Sequence, residues 1–160
     1  MGELLTTGLI GKWGYEIGTP IFFLAMLGCI IVPYLLGSIN FAVIFSKGIH
    51  HDDVRTHGSG NAGSTNMLRT YGLKTALLTL VCDVLKGVIS TFIGLIVMPY
   101  YTGFAYISAL CCMLGHAFPV YYGFKNNIGN CFVHALCFET LLEYYGYEYQ
   151  RIWVTQKDKT

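Results

Sequence analysis

Between Asp53 and Arg69 the chain reads DVRTHGSGNAGSTNMLR. Gly58, Gly60 and Gly63 stand among hydroxyl and amide side chains there, with Arg55 near one end and Arg69 at the other. This composition suits the binding of a phosphate. Glycines let backbone N–H groups come close to an anion, and arginines supply forked, charged donors. The segment lies between two stretches apolar enough to cross a bilayer, so such an anion would be met at a membrane surface.

Other polar residues sit inside apolar sequence. Asp83 and Lys86 are three apart, hence on one helix face. A lone charge at mid-membrane costs about 2.5–3.5 kcal/mol, so such residues pair or face a polar cavity. A mutual ion pair that holds helices together and a direct place in a site are both open, and they are compatible. His116 follows Gly115 beside an apolar run and reads either as a hydrogen-bonded packing residue or as a polar site group. Ser38 lies in an otherwise apolar helix, where most serines bond back to their own helix.

Three more familiar readings of the glycine segment fit it less well, the first two on context. Gly58-x-Gly60-x-x-Gly63 with Asp83 twenty residues on matches a dinucleotide fingerprint. The residues before Gly58 are polar and non-alternating, though, and Asp83 falls inside an apolar run, not at a strand end. The spacing of Gly58 and Gly63 before Ser64-Thr65 half-matches a Walker loop but lacks its lysine. A merely flexible polar loop would explain the glycines, not both arginines and both asparagines. His50, His51, Asp52, Asp53 and His57 are too adjacent to turn their ligand atoms to one point, so no metal and no other cofactor is expected.

The elements that must position these groups follow from composition. Of 160 residues, 54% are hydrophobic and 12% charged, and mean hydropathy is +0.52. A soluble domain is about a quarter charged. The expected class is therefore an all-α integral membrane protein. A net charge of +1 argues against a nucleic-acid surface. Cys29, Cys82, Cys111 and Cys112 lie in apolar runs without a CxxC pair and read as buried thiols. Residues 1–20 lack the continuous apolar core of a cleavable signal peptide.

Three spans are predicted, at about residues 21–46, 73–98 and 104–122, with a cytoplasmic loop over 47–72. Pro33 should kink or break the first span and leave Gly37-Ser38 near the distortion. The glycines, Asn and Thr of the loop oppose a long regular helix there. Lys47, Arg55, Arg69 and Lys74 cluster between the first two spans, Lys125 follows the third, and the turn near Tyr100 is uncharged. The positive-inside rule then puts the glycine loop and Lys125 on the cytoplasmic side and the N-terminus outside. The loop and His116 would share one compartment and could build one site. From Asn126 to Thr160 the character changes. Seven of the chain's nineteen charged residues and a cluster of Tyr and Phe fall there, and the apolar run 131–142 is too short to span. An irregular or interfacial tail is expected.

Four blocks carry a resemblance. They are Gly37-Ser38-Ile39-Asn40, the long segment from Asp53 to Arg69, Asp83-x-x-Lys86-Gly87, and Gly115-His116-Ala-Phe-Pro119 followed by Phe124-Lys125. In order and spacing, over roughly residues 30–125, the chain resembles the bacterial acyl-phosphate:glycerol-3-phosphate acyltransferase family of the PlsY type. The resemblance implies a multi-span enzyme of the bacterial plasma membrane. Such an enzyme moves a fatty acyl group from acyl phosphate to the 1-hydroxyl of glycerol 3-phosphate, giving lysophosphatidic acid and phosphate. Its partners would be those two substrates, membrane lipid and an enzyme that produces acyl phosphate. By the same resemblance Ser38, Arg55 and His116 are the catalytic candidates. Gly58, Ser59, Gly60, Asn61, Gly63, Thr65, Asn66, Arg69, Lys86 and Lys125 are the substrate- and phosphate-binding ones. His116 or a substrate phosphate oxygen would accept the proton of the attacking hydroxyl.

The likeness breaks after Lys125. The family continues Phe-Lys into Gly-Gly-Lys-Gly-Val-Ala-Thr and on to further spans, whereas here Asn126-Asn127-Ile128-Gly129 follow. A shifted reading frame or a replaced end is the expectation, which leaves residues 1–125 as about three spans of a larger bundle and 126–160 as a divergent tail. A non-catalytic anion-binding membrane subunit or transporter fragment is the rival reading.

Overall fold

A computed structural model describes residues 19–123. Among these every regular element is helical: α1 (Pro20–Ser38), α2 (Phe41–His50), α3 (Ser64–Tyr71), α4 (Leu73–Val97) and α5 (Gly103–Ala117), with 3-10 turns at Val54–Thr56 and Val120–Tyr122. Three stretches are long and apolar enough to cross a membrane: Pro20–His50, Leu73–Val97 and Gly103–Tyr122. The expected all-α membrane architecture is what the described residues form. Lys125, the tail over 126–160 and the sidedness of the N-terminus lie outside the described residues.

α1 opens on a cap. The Thr19 hydroxyl accepts the Phe22 amide at 3.2 Å, and Pro20 occupies the first turn, where its missing N–H costs nothing. Of the two outcomes expected at Pro33, a kink or a break, the break does not occur there: the helix runs on to Ser38. Proline removes the bond that residue 33 would donate to the carbonyl of Cys29. Ser108 of α5 supplies the missing donor, its Oγ lying 2.8 Å from that carbonyl. Helical geometry survives because the orphaned acceptor is satisfied from a neighbouring helix. The interruption comes later, at Ile39 and Asn40, where both residues are extended. Asn40 then caps α2, accepting the Val43 amide at 3.1 Å.

α1 packs most heavily on α5, and α5 in turn on α4. Small residues make this possible. A side chain at Gly37 would collide with the Cys112 backbone, and one at Gly115 with the Tyr34 carbonyl. At the α4–α5 contact, Gly94 lies against the backbone of Phe104 and Ala105. Close backbone approach at small residues replaces the hydrophobic drive that lipid removes. Large apolar side chains such as Leu24, Ile31, Leu85 and Phe92 stay exposed, as expected of surfaces facing hydrocarbon.

The polar segment after α2 is more ordered than its glycines suggest. Residues 64–71, read as loop in the sequence, form the two-turn α3, which ends at Gly72 with φ 87° and turns directly into α4. Only glycine adopts that conformation without strain.

Candidate active site

The glycine segment is organised around Asn66. This side chain is buried, and its Nδ2 lies 3.0 Å from each of the carbonyls of Val54, His57 and Asn61, which share its two N–H donors. Its Oδ1 accepts the Ser59 amide at 3.2 Å. Asn66 is thus spent on folding the loop. Gly58 and Gly60 take left-handed backbone with φ 54° and 71°, and Gly58 also leaves room for the Asn66 amide. The amides of Gly60 and Gly63 donate to the carbonyls of His57 and Asn61. Three of the loop's amides, Ser59, Gly60 and Gly63, therefore serve the loop itself. Its glycines shape the wall more than they present donors. At the start of α3 the first-turn amides, including that of Thr65, lack intrahelical acceptors, as at any helix N-terminus. Thr65 and Arg69 are exposed on α3.

Arg55 is held by its own turn. Asp53 accepts the Arg55 amide at 3.1 Å, Nε at 2.9 Å and Nη2 at 2.6 Å. Lys47 approaches the same carboxylate at 3.4 Å. The Arg55 guanidinium beside Asp53 holds that carboxyl well below the usual carboxylate range, and its own pKa rises in return through the same bonds. On its other side the guanidinium carbon lies 5.5 Å from the centre of the Tyr122 ring. Two of its five N–H donors serve Asp53, so the fork is not exhausted.

These groups wall a cavity of about 460 Å3, lined by Asn40, Val43, Asp53, Arg55, Thr56, Gly60, Asn61, Ala62, Pro119 and Tyr122. Parts of four segments meet there. Asn40 ties two of them together, its Nδ2 donating to the Ala62 carbonyl at 3.3 Å. Of the residues singled out in the sequence, Arg55, Gly60 and Asn61 line this cavity directly. Ser38 lies just behind, fully buried. Its Oγ donates to the Tyr34 carbonyl at 2.9 Å and accepts the Val120 amide at 3.4 Å. The hydroxyl thus bonds back to its own helix while tying it to the Pro119–Tyr122 wall.

His116 and Lys86 lie deeper. The Lys86 ammonium, 2% exposed, contacts the carbonyls of Gly37 and Ile39 at 3.2 and 2.8 Å and His116 Nδ1 at 2.9 Å. It also pairs with Asp83 at 2.8 Å. The ion pair foreseen between Asp83 and Lys86 is formed, and it borders the break behind the cavity. The histidine cluster goes elsewhere. His57 pairs with Asp52 at 2.6 Å, Tyr71 donates to Asp52 at 3.0 Å, and His50 stacks on Tyr71.

Sequence reasoning passed over Asn40, Asp53 and Tyr122 as wall residues. Asn40 carried a signal, since Asn before an apolar run is a helix cap. Asp53, two residues from Arg55, carried a weaker one, and Tyr122 none, because it meets Arg55 only through the fold.

The glycerol-3-phosphate acyltransferase family matches residues 27–139, a stretch that includes every wall residue and runs past Lys125. A glycerol-3-phosphate acyltransferase of Halalkalibacterium halodurans is 44% identical over 101 residues, 62% of this chain and 49% of the relative. One from Photorhabdus laumondii is 45% identical over 105 residues, 64% of this chain and 47% of the relative. A Coxiella burnetii protein of the same name is 43% identical over 106 residues, 66% of this chain and 54% of the relative. The crystal structure of PlsY, an integral membrane glycerol 3-phosphate acyltransferase in its glycerol 3-phosphate form, superposes with a TM-score of 0.61 at 31% identity. That match covers 75% of this chain and 60% of the other. The chain spans about half the length of the curated relatives it matches. With the matched stretch covering well over half of its residues, this chain belongs to the glycerol-3-phosphate acyltransferase family.

Proposed function

We propose that the chain transfers a fatty acyl group from acyl phosphate to the 1-hydroxyl of glycerol 3-phosphate, at the cytoplasmic face of a bacterial plasma membrane. The hydroxyl oxygen attacks the acyl carbonyl carbon, and the bond from that carbon to the phosphate oxygen breaks. Lysophosphatidic acid and inorganic phosphate leave. The hydroxyl proton passes to His116 or to a phosphate oxygen. An enzyme that makes acyl phosphate would have to supply the donor.

The observation that carries this reading is the cavity at the end of the helices, with Arg55 and the glycine loop in its wall. Its volume is within the range of small-ligand sites, roughly 300–1,000 Å3. A guanidinium with unspent donors suits a phosphate. Apolar helix surfaces beside it suit an acyl chain. Acyl phosphate carries its own good leaving group, so positioning and charge neutralisation supply most of the catalysis. By resemblance Ser38 and His116 support the reacting centre, while Gly58, Ser59, Gly60, Asn61, Gly63, Thr65, Asn66 and Arg69 shape and charge the phosphate wall. By the same resemblance Lys125, which lies outside the described residues, is a further phosphate-binding candidate.

The test is incubation of the chain in lipid vesicles with palmitoyl phosphate and radiolabelled glycerol 3-phosphate. Label is expected in lysophosphatidate. Arg55→Ala should lower the rate by about 10²-fold or more, the scale for losing one charge-stabilising donor group. Full activity in both Arg55→Ala and His116→Ala would refute the site. Binding of glycerol 3-phosphate without product would favour a non-catalytic anion-binding subunit.

A further inference from the structure

Lys86 is the most deeply buried charge among the described residues, and its surroundings state what it does. Two of its acceptors, the carbonyls of Gly37 and Ile39, flank Ser38 where α1 stops. A helix end leaves its last carbonyls without intrahelical partners. Inside a membrane-spanning stretch no water replaces those partners. The ammonium fills that gap, and its positive charge suits the negative end of the α1 dipole. Asp83, one turn away on α4, balances the charge. The Phe41 ring lies 5.7 Å from the ammonium on the far side of the break.

The third carbonyl-like acceptor is a ring nitrogen. An ammonium has three protons and no lone pair, so it can only donate. At 2.9 Å from Lys86 Nζ, His116 Nδ1 must therefore carry its lone pair, and the ring proton resides on Nε2. Four acceptors surround three protons, which leaves Lys86 none to offer a phosphate.

We propose that Lys86 is a positioning residue of the acyl-transfer site and not a substrate ligand. It fixes the break between α1 and α2, and it fixes His116 as the Nε2–H tautomer. Through the break it acts on the cavity wall, because Asn40 is the residue that follows Ile39 and reaches across to the Ala62 carbonyl. The word "site" rests on the functional reading above, whereas the tautomer and the break do not.

The test is 15N NMR of the full chain labelled at histidine, in lipid nanodiscs at neutral pH, with His116 assigned by its loss in His116→Gln. The wild-type chain should show His116 as the Nε2–H tautomer alone. Lys86→Met, an unbranched side chain one atom shorter and without the charge, should give a mixture of tautomers. In the acyl-transfer assay the same variant should lose kcat by about 10²-fold, the scale of a small misplacement of reacting groups, with KM for glycerol 3-phosphate changing far less. His116 found with its proton on Nδ1, or protonated on both nitrogens, in the wild-type chain overturns the proposal. The wild-type spectrum decides this even where Lys86→Met does not fold. An unchanged tautomer in a folded Lys86→Met overturns it equally. A wild-type chain that shows the Nε2–H tautomer but forms no lysophosphatidate refutes the functional reading and leaves the positioning role standing.

Discussion

Arg55 stands between the Asp53 carboxylate and the Tyr122 ring, and this setting governs how the loop responds to acid. The folded-state pKa of Asp53 is depressed, first of all by the Arg55 hydrogen bond. A depressed carboxyl contributes stability above its unfolded pKa and loses it as pH falls toward the folded one. Hydrogen exchange at Thr56, whose amide bonds the Asp53 carbonyl, should therefore keep its protection from about pH 7 to about pH 4. Protection should fade only in stronger acid, and an onset near about pH 6 would point to a different group in control. Asn66 gives a second residue-scale prediction. Asn66→Asp replaces the donor shared by three carbonyls with an acceptor, which should cost about 1–3 kcal/mol. Limited trypsin digestion should then cut at Arg55 or Arg69 much faster than in the parent chain. Arg55 and the left-handed glycines were legible from residue types alone, because those types have few other uses. Asn66 was legible as important but not as a scaffold, since its three carbonyl partners converge only when the loop closes.

At the scale of elements, hydrophobic length predicts three spans, and the fold has three helical stretches long and apolar enough to serve as them. The position of the break did not follow from it. Proline marks a missing N–H, but whether a helix breaks there depends on whether another donor arrives, and Ser108 does so from α5. The helix α3 was likewise hidden, because its Ser-Thr-Asn start looks like turn sequence until Met67 packs in the core beside Val43, Val54 and Ala76. Close packing of α1 on α5 leads to a paired prediction. Gly115→Leu drives a side chain into the Tyr34 carbonyl and should lower stability by about 1–3 kcal/mol or more. Gly28→Leu, on the same helix pair but facing open space, should be nearly neutral. Thermal unfolding in detergent compares the two. Equal melting temperatures for both variants would refute the assigned packing.

For the molecule as a whole, the sequence argued sidedness from its cationic loops, and the fold brings the glycine segment and residues 119–122 around one cavity. Both should therefore be reached from the same side of the bilayer. In a chain with its six native cysteines replaced, single cysteines at Ser59 and Tyr121 should react with an impermeant thiol reagent from one side, and a cysteine at Thr102 from the other. Labelling of Ser59 and Tyr121 positions from opposite sides would dissolve the common cavity. The charge pattern could anticipate the shared side but not the shared wall. That wall depends on Asn40 reaching Ala62 and on Tyr122 lying over Arg55, neither of which leaves a trace in residue spacing.

Ser108 and Pro33 are far apart in the chain, yet each makes sense only beside the other. Replacing Ser108 alone strands a carbonyl, whereas replacing Pro33 with alanine would restore that carbonyl's own helical donor and make the hydroxyl dispensable. The order in which the two positions change thus decides whether the path between the two sequences crosses a damaged intermediate. Loss of the proline first is the permissive route, and loss of the serine first is the closed one.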